Sequence, residues 1–480
     1  MSHMLRSSSD LNVSRFLPVA GFIVLMVLSF AAFRMPVAAG VGAGALIILT
    51  VGLRFPLITL YVYAATTFLS YVPLGGAVGV PTATGAIFLL AAGLEASLGS
   101  VSHRPSLFGQ RSHISRWLML FWIACCVSAL ANPREFLSNP RGLITYGGLA
   151  ITVPAVVFLI RADHHIVRLS QILTWGAVAA AALTCYQSLT GSYNTFGFFH
   201  SGPPAERAYG FADPNYTSAT LDTIFPLLFA LLVTAKRTRV KVVLTTALLV
   251  TLIAVGMTAS RGGFLGLVLS GILCLFMISP TTASWTRTSI VKRLGVTLLL
   301  LGVFGVALYV SPENLWERVS TLSDEEKVGN ESRLRVWEDY IKDIKERPWF
   351  GYGPGYITPD TEEERTIIQH STPLEFLTEI GGVGFVAFVG LSLCILYELW
   401  RARSQFQLYG DAQMAAIASA MIAGLIAFHF TALFLNRGND KQLWVLFGMA
   451  AAIISLAQRQ RTISSSATEP RVVELAEVVV

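Results

Sequence analysis

The chain has 480 residues, 54% of them hydrophobic and only 13% charged, with a mean hydropathy of +0.61. Soluble domains carry roughly a quarter charged residues, so this balance excludes a soluble globular protein and points to a polytopic membrane protein. The net charge of +6 follows from the topology set out below, and no nucleic-acid partner is expected.

Met1-Ser2-His3 reads as a cloning remnant ahead of Met4. No cleavable signal peptide is evident, and the first apolar span is expected to direct insertion. Apolar stretches long enough to cross a bilayer fall near residues 17–33, 36–52, 55–72, 81–98, 116–131, 142–160 and 165–190. More follow near 216–235, 240–258, 262–279, 294–310, 373–400, 412–432 and 442–457. The expected fold class is an all-α polytopic membrane protein of 12 to 14 transmembrane helices. Its expected segments are an amino-terminal tail (1–16), a membrane domain (17–310), a large loop containing helices (311–372), carboxy-terminal membrane helices (373–457) and a disordered tail (458–480). Cys125, Cys126, Cys185, Cys274 and Cys394 all lie inside apolar stretches, as core residues rather than a disulfide framework or metal site.

Alternate loops differ in basic charge. With the amino terminus inside, 20 of the 35 Lys and Arg residues fall on the cytoplasmic side, including the run Lys236 to Lys241, and eight lie in the long loop. Both termini are therefore expected in the cytoplasm and the long loop outside. That loop carries 14 of the chain's 29 acidic residues, and its size suits a lid or small subdomain.

The first outer loop of interest, Ser192 to Asn215, is aromatic-rich, with Tyr193, Phe196, Phe198, Phe199 and Tyr209, and contains Arg207. Thr258-Ala259-Ser260-Arg261-Gly262-Gly263 is a tight outer turn in which Ser260 caps the next helix and Arg261 stands at its amino end. An arginine beside a helix amino terminus suits a diphosphate; the alternative is a side chain snorkelling to lipid headgroups. In the long loop, Asn330 to Arg347 has Leu334, Trp337, Ile341 and Ile344 at helical spacing, ended by Pro348. Arg333 lies beside that apolar face and Arg335 points away from it.

The loop closes with His370-Ser371-Thr372-Pro373-Leu374-Glu375, where Thr372, Pro373 and Glu375 fit N-cap, N1 and N3 of a capping box. His370 then sits just before a helix amino end, which disfavours imidazolium and leaves a ring able to accept a proton; it is either a structural residue or a general base. Glu375 and Glu379, one turn apart, are placed to orient the imidazole or bind acceptor hydroxyls. Arg437, in Leu435-Asn436-Arg437-Gly438-Asn439, is a further candidate phosphate contact, and His429 sits within a span. The chain has no Walker-type loop, H-E-x-x-H, paired C-x-x-C, G-x-S-x-G or Asp-x-Asp, so metal-dependent sugar transfer is disfavoured.

From about Val250 to Gly384 the sequence resembles the O-antigen ligase and polymerase superfamily of lipopolysaccharide biosynthesis. The carriers are Ser260-Arg261-Gly262, Asn330-Glu331-Ser332-Arg333-Leu334, Gly351-Tyr352-Gly353-Pro354-Gly355, and His370-Ser371 leading to Glu379-Ile380-Gly381-Gly382-Val383-Gly384. Many relatives have Asn where this chain has Ser371. The resemblance implies a GT-C-like, metal-independent, inverting glycosyltransferase of the bacterial inner membrane, facing the periplasm, with no cofactor. It implies an undecaprenyl-diphosphate-linked glycan as donor, a lipid A-core sugar hydroxyl as acceptor and membrane lipids around them. By that resemblance His370 would be the base, and Arg261 and Arg333 would engage the diphosphate; Arg207, read from its loop alone, is a further candidate diphosphate contact. A polymerase or protein O-oligosaccharyltransferase would use the same donor; a polyprenyl-linked glycan transporter is the reading of another class.

Overall fold

A computed structural model describes residues 54–69, 73–75, 78–98, 113–192, 210–278, 330–357 and 370–468, together with 50, 52 and 208. The described chain is almost wholly helical. It runs α1 Pro56–Thr66 with a 3-10 turn Thr67–Leu69, a two-stranded hairpin β1 Pro73–Gly75 and β2 Val78–Gly79, then α2 Val80–Leu98, α3 His113–Ala131 and α4 Pro133–Ser138. Next come α5 Arg141–Leu159, α6 Asp163–Thr190, α7 Pro214–Thr234, α8 Thr238–Met257 and α9 Arg261–Met277. After the long-loop helix α10 Asn330–Glu346 follow α11 Thr372–Glu379, α12 Gly381–Leu408, α13 Ala412–Ala432 and α14 Lys441–Thr468. The small hairpin departs from the all-helical expectation.

Among the described residues nine helices (α2, α3, α5 to α8, α12 to α14) are long and apolar enough to cross a membrane. Two apolar helices, Pro56–Leu69 and Arg261–Met277, are shorter. Eleven of the expected apolar stretches thus hold helices, whereas 17–33, 294–310 and all of 36–52 except residues 50 and 52 lie outside the described residues. The protein is a multi-pass membrane protein.

Two boundaries differ from expectation. The stretch 373–400 is two helices, because Gly381 takes a left-handed conformation (φ +68°) where a Cβ would meet the Trp349 carbonyl at 2.3 Å. The last helix continues to Thr468 rather than stopping near 457, since Gln458 to Arg461 are good helix formers that extend it beyond its apolar part.

The buried centre is formed by α13 and α14, whose spans are each 83% buried. Phe121 of α3, Phe376 of α11, Phe388 of α12 and Trp444 of α14 meet there with ring centroids 4.3 to 5.9 Å apart. His429 joins the same aromatic layer beside Phe388. The two ends of the bundle differ. One end collects the exposed cations Lys236, Arg237, Arg239 and Lys241, and Arg161 paired with Glu95 at 3.2 Å. The other gathers the ends of α3, α7, α9, α11 and α14, and every described candidate residue.

Candidate functional site

The start of α11 is fixed by side chains distant in sequence. Ser371 is the N-cap, with no side-chain cap bond, so the expected capping box at Thr372 is displaced by one residue. The reason is that both polar groups are engaged elsewhere. The Thr372 hydroxyl donates to the Leu435 carbonyl and accepts from the Arg437 N–H, both at 2.8 Å. The Glu375 carboxylate accepts from the Gly438 N–H at 3.1 Å and faces the Asn436 amide, whose orientation is assigned from this contact. From α7, the Tyr216 hydroxyl donates to the Asn436 carbonyl at 2.7 Å. The loop 433–440 is thereby stitched to both α7 and α11.

His370 precedes this anchored helix, half-buried, with φ +48°. Among the described residues only His370 and Ala259 are non-glycine residues with positive φ. Such a conformation costs about 1–3 kcal/mol and persists where the surroundings over-determine it.

Ala259 introduces the other element. Ser260 is the N-cap of α9 and accepts from the Gly263 N–H at 3.2 Å, as the sequence indicates. Arg261 follows at the first helical position, half-buried and without an ion pair among the described residues. The glycines after it have steric reasons: a Cβ at Gly263 would meet the Ser218 Oγ at 2.2 Å, and one at Gly266 would meet an Asp222 oxygen at 2.5 Å. Asp222, fully buried in α7 with neither carboxylate oxygen hydrogen-bonded, is absent from the sequence-derived set. Its span carries no other charged residue, and an acid inside a span was the available signal.

Two motifs that are separate in sequence meet in one clamp. Backbone N–H groups of the turn 351–355 bond to the end of α11: Tyr352 to the Thr378 carbonyl at 2.9 Å and Gly353 to the Glu379 carbonyl at 2.8 Å. Gly355 N–H donates to the Glu379 carboxylate at 2.8 Å. In return the Gly382 N–H donates to the Pro348 carbonyl at 2.8 Å. Asn132, the residue between α3 and α4, closes the clamp by donating to the Gly351 carbonyl at 3.0 Å. Arg347, not singled out from sequence, donates to Asn132 and stacks 4.3 Å from the Tyr352 ring. The clamp ties α10, which carries position 333 in its first turn, to the helix that His370 precedes.

Among the described side chains of α10, which begin at Val336, the buried ones are Val336 and Tyr340, and Ile341 is 41% exposed, so the inward face there is rotated from the Trp337-Ile341-Ile344 part of the expected stripe. Tyr340 contributes the packing ring that a hydrophobic count discounts. Counting about 100° per residue, position 333 is about 40° from the centre of that face and position 335 about 120°.

Glu375 and Glu379 are 1% and 6% exposed, and each holds a loop against α11, Glu375 through Gly438 and Glu379 through Gly355. Burial pushes the Glu379 carboxyl up to about 7, opposed by the Gly355 N–H and the Tyr146 hydroxyl. Glu375 is raised by burial and by the neighbouring Glu379 charge, with the Gly438 N–H opposing.

Arg437, the further candidate phosphate contact, lies deeper. It is fully buried, its Nε and Nη2 grip Asp440 at 3.1 and 2.8 Å, and it lies 3.9 Å from the Phe428 ring centroid. A guanidinium so occupied has no face for a phosphate. Arg207 and the aromatic residues Tyr193, Phe196, Phe198, Phe199 and Tyr209 lie outside the described residues. Among the described residues no three His, Cys, Asp or Glu side chains gather into a metal-binding group.

Compared with known proteins, residues 246–389 match a family model described as O-antigen ligase. The matched segment holds Arg261, Arg333, the turn 351–355, His370, Glu375 and Glu379, and leaves out Arg207 and Arg437. No curated protein matches the chain.

Proposed function

Starting from an O-antigen ligase domain at residues 246–389 in a multi-pass membrane protein, we propose that the chain is the ligase itself. It transfers a glycan from undecaprenyl diphosphate to a lipid A-core hydroxyl, at the periplasmic face of a bacterial inner membrane, with both termini in the cytoplasm. The orientation rests on the cationic end of the bundle, which the positive-inside preference assigns to the cytoplasm.

In this reading His370 takes the proton from the acceptor hydroxyl as its oxygen attacks the anomeric carbon. The bond from that carbon to the diphosphate oxygen breaks on the opposite face, which inverts the centre. Arg261 and Arg333 stabilise the charge that grows on the departing diphosphate. The donor supplies the driving force, so neither nucleotide nor metal enters.

The observation that carries the proposal is the placement of backbone strain. The two non-glycine residues with positive φ among those described are His370 and Ala259, two residues before Arg261. Strain held at a candidate base and beside a candidate anion ligand is what a preorganised site stores.

The test is reconstitution of purified protein with a polyprenyl-diphosphate glycan and either lipid A-core or free glycan as acceptor. Product on lipid A-core is expected. Elongation of free glycan alone would replace the ligase reading with the polymerase.

A further inference from the structure

Beside the anchored loop 433–440 lies a cavity of about 320 Å³ that no step above uses. Its walls include Phe68 of the 3-10 turn, Phe211 ahead of α7, Tyr216 and Thr220 of α7, Asn439, and Lys441 at the start of α14. The volume is at the lower end of the roughly 300–1,000 Å³ range of small-molecule sites, a size suited to one sugar residue rather than a chain.

We infer that this cavity is a saccharide subsite for a sugar bearing a carboxylate or phosphate substituent. Three observations lead there. Aromatic rings on the wall offer flat apolar faces to the C–H face of a pyranose. The Thr220 hydroxyl and Asn439 amide make no hydrogen bond to described protein groups, which leaves them to sugar hydroxyls.

The third observation is charge. Asp440 also lines the cavity, but Arg437 takes one of its oxygens through two N–H groups and the Gln442 N–H takes the other. The Arg437–Asp440 pair is thus neutral as a unit. Lys441 is partly buried and also attracted by Asp440, so the described charged groups here, Arg437, Asp440 and Lys441, leave the wall with one net positive charge. An anion on the bound sugar satisfies it.

Asn436 lines the cavity and faces Glu375 of α11, so the subsite adjoins the helix that His370 precedes. The inference rests on the proposed function only in taking this sugar to belong to the donor or acceptor glycan.

The experiment reads binding, not transfer. Full-length protein in phosphatidylcholine nanodiscs is titrated with glucuronate, glucose 6-phosphate, glucose and glycerol 1-phosphate by saturation-transfer NMR. Both anionic sugars should bind about tenfold more tightly than glucose or glycerol 1-phosphate. Lys441→Gln should erase that advantage while leaving the thermal midpoint in place, and Asn439→Ala should weaken every pyranose alike. Equal binding of glucose and glucuronate, glycerol 1-phosphate binding as well as glucose 6-phosphate, or unchanged selectivity in Lys441→Gln would each overturn the subsite. Transfer without sugar binding would sink the cavity alone. Sugar binding with no transfer to any acceptor would sink the ligase reading and leave the cavity standing.

Discussion

Two arginines at the same end of the bundle have opposite surroundings. Arg261 is half-buried without an ion pair, whereas Arg437 is sealed against Asp440 and Phe428. Arg261→Ala and Arg333→Ala should abolish transfer with insertion intact, and Arg335→Ala should retain most activity; equal tolerance at positions 333 and 335 would remove the distinction between them. Arg437→Ala should instead act on stability, by about 3–5 kcal/mol, because it strands a partly buried carboxylate, and a thermal melt of the purified variant would show it. For His370→Ala the expected loss of turnover is about 10²- to 10⁴-fold with donor binding preserved. A variant that binds no donor would make His370 a phosphate ligand instead of a base. At this scale loop parity, which follows hydropathy, let the sequence group Arg261, His370, Glu375, Glu379 and Arg437, which the structure places at one end of the bundle. It concealed which are engaged: the partner of Arg437 is three residues away and its aromatic platform one helix earlier, and neither changes the local pattern.

Among elements, the clamp between the turn 351–355 and α11 was invisible in advance, although both motifs stood out separately. Its bonds join backbone groups more than twenty residues apart, and no side-chain periodicity records them. The glycines report it only through geometry. A Cβ at Gly351 would lie 2.4 Å from the Thr378 carbonyl, while one at Gly410, also at positive φ, meets nothing within 4 Å. Gly351→Ala should therefore open the loop to protease and stop transfer, whereas Gly410→Ala should show only the strain of about 1 kcal/mol. Equal behaviour of the two would argue against the clamp. The same joint responds to protons. Glu379 is raised from 4.5 to about 7, so the folded protein holds a proton that the unfolded chain releases. Its contribution is complete below about 4.5 and is lost as pH rises through about 7. The melting temperature should fall across that window, and Glu379→Gln should flatten the fall.

For the whole molecule, hydropathy located eleven helices correctly because lipid demands apolar length. It missed the break at Gly381, which a loop carbonyl imposes from outside the span. The mechanism as a whole predicts transfer that persists in excess EDTA; loss on chelation with recovery on adding magnesium or manganese would replace arginine with metal as the diphosphate ligand. The stitched loop 433–440 also bears on biogenesis. It is held by Tyr216, Thr372, Glu375 and, through its indole N–H at 3.1 Å from the Gly438 carbonyl, Trp444. Trp444 is translated after Tyr216, Thr372 and Glu375. A chain cut before it should therefore lack this tie on the loop, and on the proposed reading it should show no transfer however well its earlier helices insert.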